Sequence, residues 1–455
     1  MKYIYLTFLL SILVNTKAFT QTTVSGTISK NAVWDISGSP YNIVSNVVVN
    51  QGVSVTIKPG VVLFSSSNTK IVINGELIAE GNKDSIIEFK SVETNFTKFS
   101  KDYNPLTGKG NRFSYCKFTN PAGKMAAYQV NLEKSAVRID QSHFQDIYYC
   151  IYGGPSDSVK VWVSNTNFNN LKNSSGYPVY MNNSSTFLSV DNCQFSNFGY
   201  IYAAENNEIK NSYFRPFTNN MVFYFSHYTK NLNFSCNLIR KAKLALDLAN
   251  VSINGFKAVL QNNEFDSCGL VIQLSCTRNY DTIKVVGNNF RRFTQKNIEV
   301  VHAAPPNSIF KTLDFSGNYW ITTDTNDILN TILDFRQNPK LIYKLNIDNF
   351  RTTPVNQCWP LIQGQTNSHF QQIKEPGIVI YPNPVNDKLT IKFDGLISNQ
   401  SSAQILDITG KRIDAVIISS ASNEITLDTR NLNPGIYLLE LNEKDNRVFK
   451  RFVKD

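Results

Sequence analysis

Four arginines stand at related positions of a repeating pattern, and their spacing suggests a binding surface. Counted from an aromatic side chain that recurs along the chain, Arg215 is at plus one, Arg240 at plus two, and Arg291 and Arg292 at plus one and plus two. If successive repeats stack, the guanidinium groups form a ladder with intervals of about 5 to 10 Å, which can follow the carboxylates or sulfates of an extended polysaccharide. Asp266 interrupts this ladder, and an ordinary solvated face is the alternative.

Two aspartates give a weak indication of catalysis. Asp140 and Asp191 share one repeat position two repeats apart. Inverting glycoside hydrolysis needs two carboxyl groups roughly 6.5 to 9.5 Å apart, a distance that such a pair could meet. Solvated strand or bend residues are the alternative. The four histidines are scattered, at positions 143, 227, 302 and 369. No catalytic residue is assigned, and an enzymatic activity stays open.

Tyrosines form a second group with binding potential. They lie a few residues after, or between, the recurring aromatic positions: Tyr148, Tyr149, Tyr152, Tyr200, Tyr202, Tyr224 and Tyr228. Exposed tyrosine rings could stack on sugar rings, whereas buried ones would serve only for packing.

The seven cysteines predict neither a metal site nor a redox site, because no two of them have Cys-x-x-Cys spacing. Their odd number leaves at least one unpaired within the chain. Cys116, Cys193 and Cys236 all precede the recurring aromatic position by two residues, which favours a structural role. We expect mostly buried thiols with room for one disulfide, and no cofactor or metal.

The elements that position these residues follow from the repeat itself. A short strand, a polar pair and an aromatic or apolar residue recur at intervals of 19 to 30 residues, ending at Phe118, Phe144, Phe168, Phe195, Phe214, Leu238, Phe265, Phe290 and Trp320. A coil of about 25 residues fits three short strands and three bends, so that stacked coils form three parallel sheets around a narrow core. Three residues before the recurring position, Asn165, Asn192, Asn211 and Asn262 predict bends whose amides bond up the stack.

Length and charge are consistent with an exported β-rich protein. The chain has 455 residues, enough for two or three domains, and a formal net charge of +10. Residues 376–455 hold ten basic and ten acidic residues and the first 20 residues hold two lysines, so the middle of the chain carries +8. A mildly basic surface suits anionic glycans, although a charge that merely aids solubility explains it equally well.

The N-terminus has the pattern of a cleaved signal peptide. Lys2 supplies a positive charge, residues 3–14 are largely apolar, and Ala18 and Thr20 place small side chains before Gln21. The apolar run is too short to span a bilayer, and a buried strand is the alternative. We predict a signal peptide over residues 1–20 and no transmembrane span.

The last eighty residues resemble the type A sorting domain of the type IX secretion system of Bacteroidota. The resemblance rests on the order and spacing of Tyr381-Pro382-Asn383-Pro384, Gly410 within Asp407-Ile408-Thr409-Gly410-Lys411, Gly435 and Tyr437 within Asn433-Pro434-Gly435-Ile436-Tyr437, and Lys454 near the end. It implies a small β-sandwich over residues 377–455, the type IX machinery as a partner, and a secreted or outer-surface location.

Residues 22–355 resemble right-handed parallel β-helix proteins of the pectate-lyase-like class. The recurring strand motif, the opening segments 53–61 and 73–81, and the closing segment Gly317-Asn318-Tyr319-Trp320 support this resemblance. It implies an all-β chain in which a right-handed parallel β-helix solenoid is followed by a linker, residues 356–376, and then by the small β-sandwich.

The resemblance implies less about activity, because this scaffold hosts lyases, glycosidases and adhesins alike. Neither the aspartate pair and Gly-His-Gly segment typical of polygalacturonase-like hydrolases nor the Arg-x-Pro-x-x-Arg arrangement of pectate lyases occurs. We predict a glycan-binding or adhesive module whose ligand is an anionic polysaccharide, with no specific nucleic-acid partner. A polysaccharide lyase or glycoside hydrolase acting on an acidic polysaccharide is the alternative.

Overall fold

The structure is a computed structural model of the whole chain. It describes residues 21–455 except 67–68, 121–127, 155–157, 172–175, 182, 218, 252–253, 356–377, 394–401, 408–411, 414–415, 422–423 and 444–445. The predicted signal peptide, residues 1–20, and the predicted linker, residues 356–376, lie outside the described residues. The chain divides into two compact units, Met1–Gly364 and Gln365–Asp455.

The first unit is a parallel β-solenoid of about ten turns, as the repeat predicts. Each turn contributes one strand to each of three faces. The first face is a 13-stranded parallel sheet made of Ala32–Trp34, Ser54–Ile57, Glu76–Glu80, Arg112–Ser114, Ala136–Asp140, Lys160–Ser164, Phe187–Asp191, Asn206–Lys210, Asn231–Ser235, Asn254–Gln261, Asn279–Val286, Lys311–Asp314 and Tyr343–Asn346.

The other two faces share strands at the N-terminal end of the solenoid, where Thr22–Ile28 and Tyr41–Val49 run along both. The second face continues with Val62–Phe64, Ile87–Lys90, Cys116–Thr119, His143–Gln145, Asn167–Asn169, Gln194–Ser196, Tyr213–Arg215, Leu238–Arg240, Glu264–Asp266 and Asn289–Phe290. The third face continues with Lys70–Ile73, Glu93–Phe96, Tyr128–Leu132, Tyr149–Gly153, Tyr177–Tyr180, Ile201–Tyr202, Met221–Tyr224, Leu244–Asp247, Cys268–Ser275, Phe293–Val301 and Ile332–Leu333. A 3₁₀ turn, Ile36–Gly38, and one short α-helix, Thr325–Asn330, complete the described helices of this unit.

The recurring aromatic position lies on the second face and points into the core. Successive phenylalanine rings stack with centroids 4.5–4.9 Å apart, in the order Phe89, Phe118, Phe144, Phe168, Phe195 and Phe214. In the next turn this position is occupied by Ile239, which pairs with Phe214 and Phe265, and not by Leu238. The predicted register is therefore wrong by one residue in this turn, and Arg240 stands at plus one.

The first bend joins the first face to the second. It is stabilised by a residue in the left-handed backbone conformation and by side-chain hydrogen bonds between turns. Asn165, Asn192, Asn211 and Asn262 have positive φ of 48–56°, as expected of a left-handed bend. Of the predicted amide ladder the structure shows the contact from Asn192 Nδ2 to Asn165 Oδ1, at 2.7 Å.

A longer amide ladder lies one residue later in the same bend and is buried. The side-chain nitrogens of Asn237, Asn263 and Asn288 each donate to the Oδ1 atom of the asparagine one turn further, at 2.9–3.1 Å, and the ladder ends at Asn318. Stacking of turns thus satisfies polar groups that would otherwise be buried without partners.

The three cysteines near the recurring aromatic position divide between these two bend positions. Cys116 and Cys193 occupy the inward position and are buried free thiols. Cys236 occupies the left-handed position, with φ of 57°, and is disulfide-bonded. The three residues therefore do not share one position as predicted.

The second unit contains two four-stranded antiparallel sheets. One has the order Ile378–Tyr381, Lys388–Phe393, Glu424–Asp428 and Val416–Ala421, and the other Arg412–Ile413, Ser402–Leu406, Gly435–Glu443 and Asn446–Lys454. Buried Leu389 and Leu427 from the first sheet share one core with Leu439 and Phe452 from the second. The unit is thus a small β-sandwich.

Candidate functional site

The predicted arginines gather at the second bend, which joins the second face to the third. Arg215 and Arg240 end their second-face strands, and Arg291 directly follows the strand Asn289–Phe290. Lys241 and Arg292 come one residue later in their turns. We call these five residues the cation cluster.

Two carboxylates lie among these cations. Both oxygens of Asp266 accept hydrogen bonds from Arg292, from Nε and Nη2, at 2.9 Å each. Arg240 Nε is 3.4 Å from Asp266 Oδ2, and Arg291 Nε is 3.1 Å from Glu264 Oε2. Burial alone would raise the pKa of Asp266, but the hydrogen bonds and charge of Arg292, together with Arg240, hold that pKa below its usual value. Asp266 therefore stays ionised and binds the cluster together.

Positive charge still exceeds negative charge in the cluster. The cluster has five cationic groups, and among the described residues its arginines form ion pairs only with the carboxylates of Asp266 and Glu264. Arg215 forms no ion pair within the part of the chain that the structure describes. The pKa of Lys241 is lowered, first by partial burial and then by the charges of Arg215, Arg240 and Arg292. The cluster is thus a place where an added anion would relieve repulsion.

The third face presents a continuous surface of tyrosine rings, which we call the tyrosine surface. It comprises Tyr128, Tyr149, Tyr152, Tyr177, Tyr180, Tyr200, Tyr202 and Tyr224, all partly exposed. The rings align because third-face strands point outward at two positions three residues apart, with two buried residues between them, as in Tyr149–Gly153 and Tyr177–Tyr180. In one row Tyr152 pairs with Tyr180, Tyr180 with Tyr202, and Tyr202 with Tyr224.

The rings of this surface contact one another along the solenoid. Ring centroids are 4.2 Å apart for Tyr128 and Tyr152, and 4.4 Å apart for Tyr180 and Tyr202. The hydroxyl groups of Tyr177 and Tyr200 are 3.0 Å apart, within hydrogen-bonding distance. Burial, followed by neighbouring tyrosines, raises the pKa of Tyr128 and Tyr200, so these phenols remain neutral. The surface therefore offers apolar ring faces together with neutral hydroxyl donors and acceptors.

The predicted tyrosines belong to this surface only in part. Tyr148 precedes its strand and contacts Tyr149 at a ring distance of 6.5 Å, while Tyr228 lies in a turn against His227. Three members, Tyr128, Tyr177 and Tyr180, were not predicted from the sequence. For Tyr177 and Tyr180 the available signal was their spacing of three residues within one short strand.

Beyond Tyr224 the same outward row becomes polar. Tyr224 pairs with Asp247, Asp247 with Gln273, and Gln273 with Glu299. Burial raises the pKa of Asp247 against the opposing hydrogen bond from the Ala249 amide. Asp247 and Glu299 are two strands apart, which is about 10 Å along the sheet.

The carboxylates predicted from the sequence have structural partners. Asp140 Oδ1 accepts hydrogen bonds from Ser164 Oγ at 2.6 Å and Asn165 Nδ2 at 2.9 Å. Asp191 Oδ1 accepts from Asn211 Nδ2 at 2.8 Å. Both side chains thus stabilise the first bend. This agrees with the alternative that these aspartates are bend residues.

The sorting-motif residues of the second unit surround its final strand. Tyr381, Pro382, Asn383 and Pro384 are exposed, and Asn383 Oδ1 accepts a hydrogen bond from the Val453 amide at 2.8 Å. Gly435 pairs with Lys454, and the Tyr437 ring stacks on Phe452 at 5.6 Å. Gly410 lies outside the described residues. These contacts join the segment that follows the strand Ile378–Tyr381 to the C-terminal strand Asn446–Lys454.

Comparison with known families identifies this unit. Residues 379–455 match the family described as the secretion system C-terminal sorting domain. The C-terminal unit is a sorting domain. The chain is therefore a β-solenoid protein sorted by type IX secretion, and it is secreted or displayed at the cell surface.

Other comparisons add little. No curated protein matches the chain. Among solved structures, it is similar to a double mutant of the tailspike protein of E. coli bacteriophage HK620, with 8% identity and a TM-score of 0.32, over 95% of this chain and 86% of the tailspike chain. No helix among the described residues is long and apolar enough to cross a membrane.

Proposed function

We propose that the solenoid is a glycan-binding or adhesive module whose ligand lies along the tyrosine surface. The observation that supports this proposal is the continuity of partly exposed tyrosines over five successive third-face strands, from Tyr128–Leu132 to Met221–Tyr224. A tyrosine ring combines an apolar face with a polar hydroxyl. A sugar ring has the matching combination of C–H groups and hydroxyls, so it can stack and hydrogen-bond at once.

The repeat suits an extended ligand better than a small one. Adjacent strands are separated by about 4.8 Å, so a chain lying along the solenoid meets new tyrosines at every turn. If each ring contributes on the order of 0.5–1.5 kcal/mol, as aromatic pairs do, useful affinity needs several rings together. The ligand is accordingly a polysaccharide. The protein meets it at the cell surface or in the medium, where the sorting domain directs the chain.

The proposal is tested by replacing two central rings. Tyr180→Ala with Tyr202→Ala should weaken polysaccharide binding about tenfold, because two adjacent stacking contacts are lost. The measurement is the mobility of the mature protein in native gels containing neutral or acidic polysaccharides. The matched control is Trp162→Ala, which removes an outward aromatic residue of the first face.

Three results would contradict the proposal. The first is wild-type protein that binds no polysaccharide in a broad panel. The second is a double variant that keeps wild-type affinity, and the third is a loss of affinity that Trp162→Ala reproduces. Circular dichroism and thermal melting of each variant establish that the fold is retained.

A polysaccharide hydrolase is the second candidate, and the carboxylate row beside the tyrosine surface favours it. Asp247 has a raised pKa, as a general acid requires, and Glu299 is about 10 Å away along the sheet, close to the roughly 6.5–9.5 Å used by inverting enzymes. Release of reducing ends from a bound polysaccharide, abolished by Asp247→Asn, would make hydrolysis the function. A binding module releases none.

A further inference from the structure

The cation cluster borders the tyrosine surface and differs from it in chemistry. It occupies the second bend, after which each turn enters a third-face strand: Lys241 is followed by Leu244–Asp247, and Arg215 by Met221–Tyr224. The tyrosine surface ends at Tyr224, in the same turn as Arg215. A ligand lying along the third face and continuing toward the C-terminal turns therefore passes beside the cluster.

Backbone register places the cations in a short ladder. Ser196 pairs with Arg215 and Arg240 pairs with Asp266, so the plus-one row reads serine, arginine, arginine, aspartate, arginine over successive turns. Lys241 and Arg292 form a parallel row at plus two. At about 4.8 Å for each turn, the cluster covers roughly 15 Å of the solenoid length.

The internal carboxylates do not use all of the donors. Arg292 is held by Asp266 in a bidentate pair, yet its side chain is 67% exposed. Arg240 contacts Asp266 at 3.4 Å through its buried Nε, and its side chain is still 40% exposed. Arg215 and Lys241 add charge without a carboxylate of their own in the described chain. Guanidinium groups with free N–H donors match carboxylate and sulfate oxygens.

We infer that the cation cluster recognises acidic substituents, carboxylate or sulfate, on the polysaccharide that the tyrosine surface binds. This inference rests on the proposed function and specifies its ligand class. The tyrosines supply contacts with any sugar chain, and the cluster selects chains that carry negative charge near the second bend. Individual exposed ion contacts contribute about 0.2–1 kcal/mol each, so selection depends on several turns acting together and weakens with salt.

The test compares charged polymers with uncharged counterparts of the same backbone. Probes are polygalacturonate against its carboxyl-reduced form and dextran sulfate against dextran, with single-stranded DNA as a non-glycan polyanion. The full mature protein is titrated at low and at raised ionic strength. We expect at least one acidic polymer to bind fivefold or more tightly than its uncharged counterpart, with the preference shrinking as salt is added.

The variant is Arg215→Gln with Lys241→Gln, which leaves the pairs to Asp266 and Glu264 in place. It should lose most of the preference for the acidic polymer and keep the affinity for the uncharged one. The control is Lys160→Gln with Lys284→Gln, which removes the same charge from exposed residues of the first face and should keep the preference.

The outcomes separate the two proposals. Uncharged glycan bound through the tyrosines without any acidic preference would overturn this inference and leave glycan binding intact. An equal loss in the control variant, or DNA bound as tightly as the acidic glycan, would show a general polyanion effect and also overturn it. No binding of any polysaccharide would overturn both.

Discussion

At the scale of single residues, inward polar side chains connect the turns of the solenoid. Asn263 Nδ2 donates to the Phe234 carbonyl at 2.8 Å and to Asn288 Oδ1, while its own Oδ1 accepts from the Asn237 amide at 2.9 Å. The residue is buried, so water cannot replace these partners. One side chain thus satisfies two backbone groups of the preceding turn and contacts the asparagine side chain of the next turn.

Removing this side chain should be costly. Asn263→Ala leaves a buried carbonyl and a buried amide without partners, at about 1–3 kcal/mol each, and should lower the urea midpoint clearly. Asn233→Ala, on the exposed outer side of the first face, serves as the control and should stay within about 0.5 kcal/mol of wild type. Equal midpoints for the two variants would contradict the role assigned to the ladder.

A second residue-scale prediction concerns pH. Burial, and then the charge of Lys117, lowers the pKa of His143 to about 4. The unfolded chain, with a histidine pKa of about 6.5, therefore binds more protons than the folded protein between these values, and stability falls as pH falls through this window. His143→Asn removes this contribution. The stability of wild type relative to the variant should decline from pH 7 to pH 4, and a constant difference would contradict the assignment.

At the scale of elements, the sequence predicts the second-face strands best because an inward aromatic marks most turns. Because the rings stack on one another, the inward residue occupies the same place in successive turns. This regular spacing predicts the solenoid. The error at Leu238 arose because two apolar residues are adjacent in that turn, and only pairing with Phe214 identifies Ile239 as the inward one. The third-face strands bury two consecutive residues, so simple alternation fails there and Tyr177 and Tyr180 were missed.

The stacked rings also give a prediction at this scale. Phe195 is fully buried between Phe168 and Phe214, with centroids 4.5 and 4.9 Å away. Phe195→Ala should cost about 3–5 kcal/mol through lost burial and the cavity left behind. Phe187→Ala, an outward residue of the first face, should cost markedly less when both are compared by thermal melting. Similar losses would mean that the stack contributes no more than a surface ring.

At the scale of the whole molecule, the sorting domain and the proposed binding surface belong to different units. The sorting domain has its own core around Leu389 and Phe452, and the tyrosine surface and cation cluster lie entirely on the solenoid. The sorting domain could be predicted from sequence because the spacing of its motif is distinctive. The tyrosine surface could not be predicted completely, because it forms only when strands from successive turns align.

This division predicts separable defects. Removing residues 379–455 should retain the protein in the cell envelope, because the sorting address is lost. The Tyr180→Ala, Tyr202→Ala variant should reach the surface or medium in normal amounts. Immunoblots of cell fractions and medium make this comparison. Normal export of the truncated chain would contradict the role of the sorting domain.

The most direct test of a polysaccharide bound along the third face is chemical footprinting of the tyrosines. The full mature protein is nitrated with and without the tightest-binding polysaccharide, and modified peptides are quantified by mass spectrometry. We expect the ligand to protect Tyr177, Tyr180, Tyr202 and Tyr224 together, while Tyr115, a partly exposed residue of the first bend, is unaffected. Unchanged modification of the tyrosine surface at saturating ligand, or equal protection of Tyr115, would contradict binding along the third face.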